Sequence, residues 1–232
     1  MFEGPSLLDR SEIVSAIAIF KSDNKKTGDM IQIYIITTHL HPVEAIKQGR
    51  KQGTCGHCPL LGTVCYIRPE QAPRAVWDGN RRGIYPAYND ADHRRLFQGR
   101  KLRWGADGDP AALPVPLVRK FSAMVAGHTG YTHQADDIPS NRAEALSEFL
   151  MISTETEQQV NECTDRGWRS FRVRGENQPL LPGELDCPHY THGVQCDTCN
   201  LCNGTGGSCS KHISVVVHGI TSKIAKHSQL VN

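Results

Sequence analysis

The chain has 232 residues, 38% of them hydrophobic, and its 26 Lys and Arg nearly cancel 24 Asp and Glu to leave a net charge of +2. Such a balance excludes a histone-like cation that holds nucleic acid by bulk charge, and the lack of any run of about 18 apolar residues excludes a helical membrane span. The length suits one α/β domain over residues 1–232 burying roughly 70–75% of its unfolded surface, and Met1-Phe2-Glu3-Gly4-Pro5 lacks the basic and apolar regions of a signal peptide, so the expected location is the cytoplasm.

In chain order, the β-rich runs 13–20 and 30–36 flank a polar segment ending in Gly28-Asp29, which predicts an N-terminal hairpin. Pro42 starts a short helix that Gly53 ends, and residues 53–66 form a first cysteine loop. A helix is expected over 68–82. From residue 100 onward strands and helices alternate: strand 101–104, helix 115–126, strand 130–133, helix 141–148 with Ser140 as N-cap, strand 149–153, helix 156–165 stopped by Gly167, and strand 168–173. A second cysteine loop over 185–210 precedes a buried-type strand at 213–217. This alternation predicts βαβ units and a mainly parallel sheet, in a half-open or closed α/β barrel. In such sheets the chemistry gathers at the carboxyl ends of the strands. Those ends carry Asp107, Asp109, Thr132, His133, Ser153, Thr154, Arg172, Arg174 and His218.

The nine cysteines give the strongest functional signal. Cys163 stands alone on a helix beside Val160 and reads as a small core residue. The other eight cluster, and clustered cysteines in a reducing compartment point to metal ligands rather than disulfides. Cys55-x2-Cys58 lets two thiolates from one tight turn reach one metal, and Cys65 adds a third. The second set is Cys187, Cys196, Cys199, Cys202 and Cys209, whose C-x2-C-x2-C core is common in iron–sulfur sites. It holds enough thiolates to close a four-ligand site alone, whereas the first leaves a position open. Iron–sulfur is the favoured occupant and structural zinc the alternative, the latter implying a module that binds nucleic acid or a host protein without catalysis.

Among the remaining candidates, His128, Tyr131 and His133 flank a strand end, and His133 suits acid–base work near neutral pH. Asp107 and Asp109 suit a substrate amine or ribose hydroxyls, with a helix cap as the other role open to Asp109. Lys47, Arg50 and Lys51, with Arg100, Lys101 and Arg103, form basic stretches suited either to phosphate contacts or to solvated surface. His39-Leu40-His41 pairs two histidines without the nucleophilic tyrosine helix of a rolling-circle nuclease.

Several runs carry a wider resemblance: Lys26-Thr27-Gly28-Asp29-Met30-Ile31-Gln32, His41-Pro42-Val43-Glu44-Ala45, Cys55-x2-Cys58-Pro59 with Cys65-Tyr66, the 108–114 and 127–133 segments, and Gly167-Trp168-Arg169-Ser170-Phe171-Arg172-Val173. Over most of residues 4–219 the chain resembles an uncharacterised cysteine-rich family encoded by bacteriophages and prophages, which implies a phage origin and the host cytoplasm. More loosely it resembles radical SAM enzymes, whose partial (βα)6 barrel carries three cluster-ligating cysteines after the first strand, the last beside an aromatic residue. Here Cys55, Cys58 and Cys65 follow the strand at 30–36, and Tyr66 follows Cys65, although the spacing is C-x2-C-x6-C rather than C-x3-C-x2-C. That resemblance implies an iron–sulfur cluster and S-adenosylmethionine. Tyr66, Asp107 and Ser153 are the candidate cofactor-binding residues, and His133 and Asp109, at strand carboxyl ends, the candidate catalytic ones. Both cysteine loops are expected at the carboxyl edge of the sheet.

Overall fold

The expected hairpin forms from β2 (Ile13–Ile19) and β3 (Ile31–Thr37), and an unexpected edge strand, β1 (Phe2–Pro5), pairs antiparallel with β2. The structure is a computed structural model describing residues 1–62, 64–218 and 221–230, with backbone only at 222, 223 and 228–230. β3 is buried along its whole length, as a run of Ile and Tyr covered on both faces should be. It is followed by α1 (Pro42–Lys47), where Pro42 occupies the first turn and the His41 ring accepts the Val43 amide, and by the single turn α2 (Gln52–Cys55). Next come α3 (Ala72–Arg81) and α4 (Asp90–Phe97), the latter capped by the Asn89 side chain on the Asp92 amide.

β4 (Lys101–Asp107) lies parallel to β3, and β5 (Gly127–Thr129) lies parallel to β4 after the crossover helix α5 (Val115–Met124). Gly130 alone separates β5 from β6 (Tyr131–Thr132). A Cβ at Gly130 would stand 2.5 Å from Leu150 Cδ2 and 2.8 Å from Trp104 Cβ, so the chain passes here only without a side chain. Beyond it α6 (Ser140–Ser147) leads to β7 (Met151–Thr154), and α7 (Glu157–Asp165), closed by a Thr156–Gln159 capping box, leads to β8 (Ser170–Arg174). Pro139 rather than Ser140 is the N-cap of α6. β9 (Glu184–Asp186), α8 (Pro188–His192), α9 (Cys196–Cys199), β10 (His212–Val216) and α10 (Thr221–Leu230) complete the chain.

The strands make two five-stranded sheets, β1-β2-β3-β4-β5 and β6-β7-β8-β10-β9, the second entirely parallel. Within each sheet the parallel strands β3-β4-β5 and β6-β7-β8 follow chain order, consecutive strands lying side by side, and β10 then inserts between β8 and β9. Register puts Tyr131, Met151, Ser153, Phe171 and Ile213 on one face of the second sheet, and Arg103 and Thr129 on one face of the first. On the opposite face Ile31, Ile33, Ile35, Leu102 and Trp104 pack with Val118 and Phe121 of α5 and Leu146 of α6 to form the main core. Among the described residues no helix is long and apolar enough to cross a membrane.

Candidate functional site

The first cysteine loop lies over the carboxyl ends of β4 and β6. Thr54 accepts the Asp109 amide through its carbonyl, and the Gln134 side chain donates to the Cys55 carbonyl (2.9 Å) while accepting the His57 amide (3.2 Å). These contacts bring Cys58 Sγ to 3.4 Å from His133 Nδ1, and the other ring nitrogen of His133 lies 2.8 Å from Glu155 Oε1. Burial pulls the His133 imidazole down, but its bonds to Cys58 and Glu155 more than offset this and hold it at about 10. Asp109 is buried; it caps the 110–112 turn through the Ala111 amide and accepts the His133 amide at 2.9 Å. Of the two roles left open for Asp109, the cap is the one seen: Oδ1 takes the Ala111 amide, while Oδ2 holds the His133 backbone.

Cys55 sits beside a buried ion pair. Lys51 Nζ lies 3.4 Å from Asp107 Oδ1, with Lys51 5% and Asp107 3% exposed. Burial pulls the ammonium down, and the Asp107 carboxylate more than restores it, so Lys51 is held above the usual lysine range. Burial pushes the Cys55 thiol up to about 12, with the Lys51 charge pulling the other way, and pushes Cys65 up as well. Asp107 Oδ2 is buried with no hydrogen-bond partner. Tyr66 is 58% exposed, and its hydroxyl accepts from the Arg103 guanidinium. Ser153 is half-buried on β7, on the face of the second sheet that carries Phe171.

The second cysteine loop lies elsewhere, contrary to the expectation that both emerge at the carboxyl edge. Lys101 donates to the Asp197 carbonyl, Asn200 abuts Gly127, and the Thr205 amide donates to the Ser147 carbonyl. These contacts belong to the amino-terminal halves of β4 and β5 and the approach to β7. The loop bends back because apolar Cys187, Leu201 and Cys202 pack against Tyr131, Met151, Phe171 and Ile213 on the sheet face. Cys187, Cys196, Cys199 and Cys202 line one small cavity of about 10 Å³; Cys209 is not in that lining. Burial pushes Cys202 up to about 12, against the pull of the Tyr131 hydroxyl bonded to it. Arg169, 4% exposed, donates to the carbonyls of Leu201, Gly204 and Lys211 and to the Asn203 side chain, tying the loop together. Among the described residues no three His, Cys, Asp or Glu side chains stand in coordinating positions, so neither thiol set is a formed shell.

The basic stretches turn inward or find partners. Arg50 pairs with Glu12 at 3.1 Å, Lys47 with Glu44 at 3.1 Å and Arg100 with Asp29 at 3.0 Å. His41 caps α1, and His39 lies 3.1 Å from Glu12. His128 is half-buried with an unpartnered Nε2, and burial lowers its pKa. Sequence reasoning missed Glu155, Gln134 and the burial of Lys51; position at a strand's carboxyl end was the one signal available for Glu155. Compared with family models, curated proteins and solved structures, the chain matches none.

Proposed function

We propose that the chain is a metal protein with two thiolate centres, one structural and one reactive, on a partial (βα)6 barrel of radical SAM type. The observation that carries this reading is the separation of the cysteines into two sets: four thiols lining one small cavity, and three near the strand carboxyl ends, where Cys58 meets His133 and Cys55 and Cys65 lie near the Lys51–Asp107 pair. The donor chemistry fits. Four thiolates are the donor set of a closed zinc site, and a cavity of about 10 Å³ suits one ion, so Cys187, Cys196, Cys199 and Cys202 are assigned to zinc. Cys55, Cys58 and Cys65 follow the first parallel strand in chain order, where the radical SAM resemblance implies a cluster. An iron–sulfur cluster held there would supply single electrons, to S-adenosylmethionine if the resemblance extends to chemistry. The chain's own residues have distinct tasks at that site. His133, backed by Glu155, holds a proton at Nδ1 against Cys58; Asp109 fixes the His133 backbone; Lys51 and Asp107 set the charge beside Cys55; Tyr66 and Ser153 are the residues assigned to cofactor contact. The phage origin and host-cytoplasm location rest on the sequence resemblance.

A second reading is favoured by one contact. Metal-bound imidazoles usually carry an orienting carboxylate on the far nitrogen, and Glu155 at 2.8 Å from His133 Nε2 supplies one. His133 would then complete a Cys3His zinc site, and the chain would be a binding module for nucleic acid or a host protein. Anaerobic purification with metal analysis separates the two. The first reading expects brown protein holding iron and zinc, with Cys58→Ala losing the iron and Cys199→Ala the zinc. Colourless protein with about two zinc ions per chain selects the second. Loss of all metal from either variant means one shared site, and a metal-free protein sinks both readings.

A further inference from the structure

We infer that the cavity beside the first cysteine loop is a binding site for a small oxyanion, a carboxylate or a phosphate, gripped by Arg103. The cavity measures about 270 Å³ and is lined by Gln32, Tyr34, Tyr66, Arg68, Gln71 and Arg103 among others. Arg103 projects from the middle of β4, is 8% exposed and cannot shed its charge. A buried cation requires a counter-charge or a full set of acceptors, and the other buried cations among the described residues have one or the other. Arg172 meets Glu184 in two contacts of 2.7 Å, Arg174 reaches Asp186 at 2.6 Å, Lys51 has Asp107, and Arg169 is saturated by loop carbonyls. Arg103 donates to one neutral hydroxyl, that of Tyr66, and among the described residues no carboxylate lies within ion-pair distance of it.

The rest of the lining agrees with a small anion. Arg68 adds a second positive charge. The Gln32 amide nitrogen is committed to Thr27 Oγ1 (3.0 Å) and the Met30 carbonyl (2.9 Å), which leaves its oxygen to accept from a hydroxyl or amine on the same ligand. Tyr34 and Tyr66 offer ring edges and hydroxyls, and the volume lies just under the usual range of roughly 300–1,000 Å³ for ligand pockets, so the ligand is small. Guanidinium is matched in shape to planar or tetrahedral oxyanions through paired N–H donors. This inference stands on the cavity and does not rest on metal at either thiol set.

Calorimetric titration of the purified full chain, its metal content counted beforehand, with inorganic phosphate and separately with malonate tests it. Saturable one-to-one binding of phosphate alone assigns a phosphate site, and binding of malonate alone assigns a carboxylate site. Arg103→Gln should weaken that binding roughly tenfold or more, and Arg103→Lys should restore part of it. Where Arg103→Gln does not fold, the exposed-residue variants Tyr66→Phe and Arg68→Gln take its place, each expected to weaken binding several-fold. Absence of saturable binding of both anions to the unaltered chain overturns the inference, as does unchanged affinity in Arg103→Gln or, in its absence, in both replacements.

Discussion

Asp107→Asn should destabilise the fold by about 3 kcal/mol. Both members of the Lys51–Asp107 pair are more than nine-tenths buried, so solvent does not screen their attraction. Breaking a buried pair by neutralising one partner leaves an uncompensated charge and costs about 3–5 kcal/mol. The lower end applies here for two structural reasons. The 3.4 Å separation exceeds the roughly 2.7–2.9 Å of a strong charged contact, and Asp107 Oδ2 has no partner to lose. Asp107 Oδ1 also accepts the Gly108 amide at 3.0 Å, a bond the asparagine oxygen retains. Urea denaturation reads the change as a fall in midpoint at unchanged m-value. Lys51→Met should cost a similar amount, whereas the double change Lys51→Met with Asp107→Leu should cost well under the sum, because no charge remains to be stranded. A single-variant cost below about 1 kcal/mol, the range of exposed pairs, would refute the reasoning, and so would additivity in the double variant. A stable Asp107→Asn protein that lost its metal would instead give Asp107 to a ligand.

His212 accepts the Ser170 amide at Nδ1 (2.9 Å), and burial holds its pKa below the ordinary value. The folded state therefore binds fewer protons than the unfolded chain, and the stability due to His212 is complete above pH ~6.5 and is lost as pH falls through the lowered value. Urea midpoints measured from pH 7.5 down to 5 should fall less steeply for His212→Gln than for the unaltered chain; parallel slopes would dismiss the assignment. If His133 completes a Cys3His zinc site, Glu155→Gln, which keeps the size of a side chain 4% exposed, should weaken zinc at the first thiol set by roughly 10–100-fold in chelator competition while leaving the second set unchanged. Equal affinities would remove Glu155 from the site.

The hairpin and the strand–helix alternation after residue 100 were legible because β-branched runs and helical spacing are local signals. β1 was not, since Phe2–Pro5 is four residues long and contains Gly and Pro, tolerated only because it lies at an edge. α4 was missed because Phe97 is its one buried residue, which leaves no apolar stripe to read. At the site, the grouping of cysteines in sequence announced the two thiol sets. Their placement did not follow, because it depends on apolar packing between Leu201 and Cys202 and a sheet face assembled from four different strands. Lys51 reads as a solvated cation until Asp107, far along the chain, is brought beside it, and Cys58 meets His133 only through the same kind of long-range closure.

The bonds from Arg169 to the second cysteine loop bear on the entropy of metal capture. A small zinc module without its metal is an unfolded chain, and most of the intrinsic affinity of its ligands goes into ordering it. Fixing each backbone residue costs about 1–2 kcal/mol, and in this chain a single guanidinium already fixes Leu201, Asn203, Gly204 and Lys211 around one point. If zinc binds the four thiols as proposed, the ion would meet a loop that Arg169 already holds at four residues. Ion capture and folding would then be partly uncoupled, and a chelator should loosen the thiols without releasing the loop.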